Sequence, residues 1–142
     1  SKGLVSKYFD LLVKNKILSR MKTKFIVNSN LFVKSLKILL NVQKIDIHLL
    51  KKYPFIKSAG LYGSCVKGLN TINSDIDLWV KIEKTTDEKV FEFISNIKKT
   101  NQKLNILILD EKKLNRLKKD DSLFYNAIYF GSIIVYGGEN EI

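Results

Sequence analysis

Apolar residues recur at helical spacing near the start of the chain. Leu4, Val5, Tyr8, Phe9, Leu11 and Leu12 are interrupted by Lys7, Asp10 and Lys14, and that period predicts an amphipathic helix from about residue 4 to 14. Ile17-Leu18-Ser19 and Phe25-Ile26-Val27 read as two short strands, joined by the basic turn Arg20-Met21-Lys22-Thr23-Lys24. Asn28-Ser29-Asn30 breaks the pattern and can cap a second helix, whose apolar stripe is Phe32, Leu36, Leu39 and Leu40. Ile45, His48 and Leu49 mark a further short helix. It must end near Tyr53, because Pro54 disfavours helical geometry at the preceding residue.

From there the pattern changes. Residues 58–62 look like a strand entering Gly63-Ser64, and residues 75–82 look like a second. Thr85 and Glu88 have capping-box spacing ahead of Val90, Phe93, Ile94 and Ile97, which keep a helical period. Leu104 to Leu109 is nearly continuous apolar sequence, as expected for a strand buried on both faces. Asp110 can cap a lysine-rich helix through Leu114 and Leu117. A last helix around Leu123 to Tyr129 ends at Gly131, and residues 132–136 return as a strand. Strands alternating with helices predict an α/β (α+β) domain, a mixed sheet flanked by helices. The expected division is a basic helix–hairpin–helix segment over 1–44 and the α/β domain over 45–142.

Charge sharpens that division. The chain has 142 residues and a net charge of +11. Residues 1–57 hold 13 Lys or Arg against only Asp10 and Asp46, so the whole excess sits there, while the remainder is balanced. Such asymmetry predicts a polyanionic partner, DNA or RNA, contacted through Lys7, Lys14, Arg20, Lys22 and Lys24. The plainer alternative is a lysine-rich solvated surface. No apolar run approaches the length of a membrane span, and the start of the chain alternates apolar residues with lysine instead of forming a signal-peptide block. The lone Cys65 cannot form an internal disulfide, which fits a reducing cytoplasm, the expected location. One His48 and one Cys65 fall short of the Cys and His set that a structural zinc site takes. The first residue is Ser1, consistent either with a removed initiator or with a fragment.

The chemistry gathers in residues 62–80, YGSCVKGLNTINSDIDLWV. Side chains in a strand alternate faces, so Asp75 and Asp77 point the same way, about 7 Å apart. Two carboxylates on one face repel, and a cation is the natural means of holding them. Oxygen-only ligands favour a hard ion such as Mg²⁺, which takes one or two carboxylates together with water and phosphate oxygens. Gly63 permits close backbone approach, Ser64 offers a hydroxyl and an amide, and Lys67 can neutralise a phosphate oxygen. Gly68 and Asn73-Ser74 supply turn geometry. A phosphate cradle beside a metal-binding pair amounts to a nucleotide-phosphate site. The plainer alternative is a capped loop whose aspartates face solvent.

The stretch LYGSCVKGLNTINSDIDL, residues 61–78, resembles the signature of the DNA polymerase β-like nucleotidyltransferase superfamily, in its minimal, antitoxin-like form. The resemblance spans about residues 45 to 138, including Leu123-Phe124-Tyr125 and Gly131 to Gly137. It implies the nucleotidyltransferase fold, and a nucleoside triphosphate, with ATP expected, held at Gly63, Ser64, Lys67 and Ser74. It further implies two Mg²⁺ ions on Asp75 and Asp77 as the catalytic pair. A hydroxyl would attack the α-phosphate and release pyrophosphate. Minimal relatives serve as antitoxins that modify a HEPN-domain toxin, so a HEPN partner is implied as well. One departure stands out. The family places a third carboxylate on a later strand, where this chain has Asn105. An amide can ligate a metal through oxygen but cannot take a proton from the attacking hydroxyl. Asp110 lies at odd spacing and is expected to be a helix cap.

The N-terminal helix and hairpin resemble part of a winged-helix module, with residues 5–16 as recognition helix and Arg20, Met21, Lys22 and Lys24 as wing. Two functions follow. In one the chain transfers a nucleoside monophosphate to a protein or RNA hydroxyl, as an antitoxin. In the other it is a degenerate transferase kept as a DNA-binding regulator. His48 is expected to be a packed or surface residue, and Cys65 is expected to make the phosphate loop sensitive to alkylation. A homo-oligomer is left open.

Overall fold

The computed structural model describes residues 2–138. The N-terminal helix α1 covers Lys2–Lys14. It ends in a Schellman turn: Ile17 N–H reaches Leu12 O, Lys16 N–H reaches Val13 O, and Lys16 takes the left-handed conformation with φ 57°. Strands β1 (Leu18–Met21) and β2 (Lys24–Val27) form the expected antiparallel hairpin, with Met21 opposite Lys24. Phe9 and Phe25 bring α1 onto it, ring centroids 4.5 Å apart. Asn28 and Asn30 each donate a side-chain N–H to Lys16 O, closing the hairpin against the end of α1.

Helix α2 (Leu31–Gln43) is capped by Asn30, whose side chain accepts Val33 N–H. Its expected apolar stripe faces outward: Phe32, Leu39 and Leu40 are more than half exposed, and the buried positions are Val33 and Asn41. Helix α3 (Ile47–Lys51) begins at an Asp46 cap. Helix α4 (Asp87–Thr100) starts one residue later than the capping-box spacing predicts, after Thr86 and not Thr85. A hydrogen bond from its own backbone amide and, to a smaller extent, one from the Thr86 hydroxyl hold the exposed Glu88 carboxyl below its usual value.

The sheet contains β3 (Ile56–Tyr62), β4 (Ile76–Ile82), β5 (Leu104–Leu109) and β6 (Ile133–Tyr136), in the order β5-β4-β3-β6. β3 runs antiparallel to β4 and β6, and β5 runs parallel to β4 across α4. This is the expected mixed sheet. Leu78, Trp79 and Val80 are all fully buried, so β4 is covered on both faces. One face packs Leu61, Leu78 and Val80 against Leu50, Phe93 and Ile97. The other sets Trp79 and Leu109 against Ile128, beneath α5 (Glu111–Asp120) and α6 (Ser122–Gly131). There Trp79 donates its indole N–H to the Ser132 hydroxyl at 2.8 Å. β5 departs from expectation. It is an edge strand, and Ile106, Leu107 and Ile108 are only half-buried. Among the described residues no helix is long and apolar enough to cross a membrane. Residues 139–142 of the second expected domain lie outside the described residues.

Candidate nucleotide site

Register brings three side chains into one row across the sheet. Tyr62 at the end of β3 lies opposite Asp77 near the start of β4, and Asp77 lies opposite Asn105 near the start of β5. Residues directly opposite share a face, so this row forms one end of the surface that α5 and α6 cover further along. Tyr62 packs edge-on against Phe124 of α6, 6.1 Å between centroids. Burial raises the pKa of the Tyr62 phenol, and the Asp77 charge and Cys65 push it further in the same direction.

Straight after Tyr62 the chain enters a 3₁₀ turn, Gly63–Lys67. Gly63 has φ 75°, and a Cβ there would lie 2.8 Å from Asp77 Oδ2. The glycine of the Gly-Ser step is therefore set by backbone conformation and by the carboxylate seated over it. The other Asp77 oxygen, Oδ1, accepts a hydrogen bond from Asn105 Nδ2 at 2.9 Å. Asp75 is exposed and lies one residue before β4, which begins at Ile76 and not at Asp75. Ser64 is half-buried within the turn, and its carbonyl accepts Leu69 N–H. Lys67 is exposed at the end of the turn, and Gly68 completes it with φ 63°. Ser74 braces the loop: its hydroxyl accepts Thr71 N–H at 2.9 Å.

Cys65 corrects an expectation. It is only 1% exposed, with its thiol 2.8 Å from Tyr62 O, so reagents do not reach it in the folded chain. Burial pushes the thiol pKa up, more than hydrogen bonds to the backbone near Asp77 pull it down. Asp110 is the cap of α5, accepting Lys113 N–H at 2.6 Å, and so does not replace the missing carboxylate. His48 is exposed, as expected. Lys7, Lys14, Arg20, Lys22 and Lys24 all lie exposed on α1 and the hairpin, elements separate from the sheet that carries Asp77. Arg20 stands over the Phe25 ring, 5.9 Å from its centroid.

The spacing of motifs did not reveal what holds the loop. Asn41 of α2, 1% exposed, donates to Cys65 O and to Asn70 Oδ1, each at 2.9 Å. Lys37 Nζ reaches Asn70 O at 3.1 Å, and Lys103 Nζ binds Ile72 O from the start of β5. A cleft of about 450 Å³ beside this loop is lined by Lys44, Asn70, Thr71, Ser74, Asn101 and Lys103. The larger cavity, about 760 Å³, lies between β4, α4 and α5, and neither aspartate lines it. Chemistry and not volume marks the candidate site.

A family model described as polymerase beta, nucleotidyltransferase matches residues 43–140, well over half the chain. The chain belongs to this nucleotidyltransferase family. Among solved structures it is similar to a toxin–antitoxin crystallised with AMP-PNP, at 21% identity and TM-score 0.51, covering 71% of this chain and 77% of that one. It also resembles a putative nucleotidyltransferase from Sulfolobus solfataricus, at 16% identity and TM-score 0.47 over 84% of this chain and 96% of that one. A third is the complex of tri-AMPylated Shewanella oneidensis HEPN toxin with MNT antitoxin, at 20% identity and TM-score 0.46, covering 73% and 76%. No curated protein matches the chain significantly. At these identities the first likeness speaks to the nucleotidyltransferase fold alone.

For a metal ion, this end of the sheet offers the Asp77 carboxylate and the Asn105 amide, with Asp75 two residues before Asp77 in the loop that enters β4. Among the described residues no three His, Cys, Asp or Glu side chains cluster to hold an ion. Two carboxylates completed by water and triphosphate oxygens fit one hard divalent ion.

Proposed function

We propose that this chain binds a nucleoside triphosphate with a divalent ion at Gly63, Ser64, Lys67, Ser74, Asp75 and Asp77. It transfers the nucleoside monophosphate to a hydroxyl of a protein or RNA, forming a phosphodiester and releasing pyrophosphate. The observation that carries the reading is the seating of the Asp77 carboxylate over Gly63, 2.8 Å from where a side chain would be. It sets one of the two aspartates against the turn proposed to hold the phosphates. When bound, the ion neutralises charge on the triphosphate. The protein's own part is to present backbone and hydroxyl of the turn and to offer the lysine. A HEPN-type toxin is the proposed acceptor, an assignment supported by the toxin–antitoxin neighbours. Asp75→Asn and Asp77→Asn are expected to lose metal-dependent nucleotide binding at least tenfold. Unchanged binding would overturn the proposal.

A second reading rests on a separate observation. The net charge of +11 belongs to residues 1–57, and Arg20, Lys22 and Lys24 stand exposed around the hairpin tip. That segment is proposed to contact DNA as a winged-helix-like regulator, whether or not the nucleotide site turns over.

A further inference from the structure

Two features of the Asp77 carboxylate depart from what a pair of ions would require. Its Oδ1 already receives an N–H from Asn105, at 2.9 Å. An ionised carboxylate offers only lone pairs, so the amide can approach it only with its NH₂ group, which turns the Asn105 carbonyl oxygen away. The amide thereby does for Asp77 what a second cation would do: it satisfies the oxygen on the β5 side. The second feature is charge. Two divalent ions a few ångströms apart need several negative ligands to offset their repulsion. Beyond the charges of the triphosphate itself, the protein adds only those of Asp75 and Asp77; Asn105 supplies none, and Asp110 is committed to capping α5. Lys67 and Lys103, beside the turn and loop, add positive charge.

We infer that the site takes a single divalent ion, bound together with the triphosphate, and that Asn105 is the residue that sets this number. The inference rests on the nucleotide-binding reading above and deepens it. It also has a consequence without metal. Because an N–H and not a cation restrains Asp77, its carboxylate is held in place before any ion binds.

The test counts ions by the paramagnetic resonance signal of free Mn²⁺. The wild type is titrated with α,β-methylene-ATP and, in parallel, α,β-methylene-GTP, which cannot be cleaved at the bond in question. The expected result is one Mn²⁺ per bound nucleotide in the wild type and two in Asn105→Asp. The variant's melting temperature should fall without metal and recover with it, while the wild type responds less. Asn105 is exposed on an edge strand, so the variant should fold, and the wild-type count stands without it. Two ions in the wild type would overturn the inference while leaving nucleotide binding intact. One ion in both proteins would overturn the role given to Asn105. Failure of both analogues to bind would remove the nucleotide reading and the inference with it, a result separable from the others because no nucleotide would be retained.

Discussion

Gly63 answers two demands in a single residue. Its φ of 75° lies in the left-handed region, and its missing side chain leaves room for Asp77 Oδ2. Gly63→Ala should cost about 1–2 kcal/mol for the backbone alone and should also displace Asp77. Denaturant unfolding would read the first effect. Nucleotide affinity, expected to fall more than tenfold, would read the second; retained affinity would show that the contact does not shape the site. The approach of Gly63 to Asp77 is legible in the sequence because both residues lie within one loop's reach. Asn105 was legible only through the family pattern. Its hydrogen bond to Asp77 was not legible, since that depends on the register of two strands 28 residues apart.

At the scale of elements, α2 is the part that sequence pattern misjudges. Helical periodicity shows that Phe32, Leu36, Leu39 and Leu40 share a face; it does not show whether anything covers that face. What α2 contributes is Asn41, whose amide ties Cys65 O and Asn70 beneath the turn. Close packing there is enforced by Gly68, where a Cβ would lie 2.4 Å from Lys34 O. Asn41→Ala leaves buried polar groups without their partner and should cost about 1–3 kcal/mol. It should also weaken nucleotide binding by loosening the turn. An unchanged midpoint in thermal unfolding would show that α2 is only appended. β5 fails in the same way. A continuous apolar run fits a central strand, but strand order places it at the edge, and order is not written in local composition.

At the scale of the molecule the chain has two chemical halves, and the boundary expected at residue 44 remains a proposal. α2, on the basic side of it, is bonded to the loop of the other half. The sheet and its flanking helices followed from alternating periods, whereas the winged-helix likeness of the first segment rests on a helix, a hairpin and their charge. If that segment binds DNA, removing Arg20, Lys22 and Lys24 together should lower the slope of log K against log salt by about 2.7. Asp77→Asn should leave that slope alone. Binding that ignores salt, or ignores the three substitutions, would count against a DNA interface.

The central claim is that the Gly63 turn and the aspartate pair form a working nucleotide site. Calorimetric titration of Mg-ATP and Mg-GTP into the wild type and Asp77→Asn tests it without knowledge of the acceptor. Saturable binding of either nucleotide by the wild type, lost in the variant, is the predicted result. A folded wild type that binds neither, or a variant that binds as well as the wild type, would contradict it.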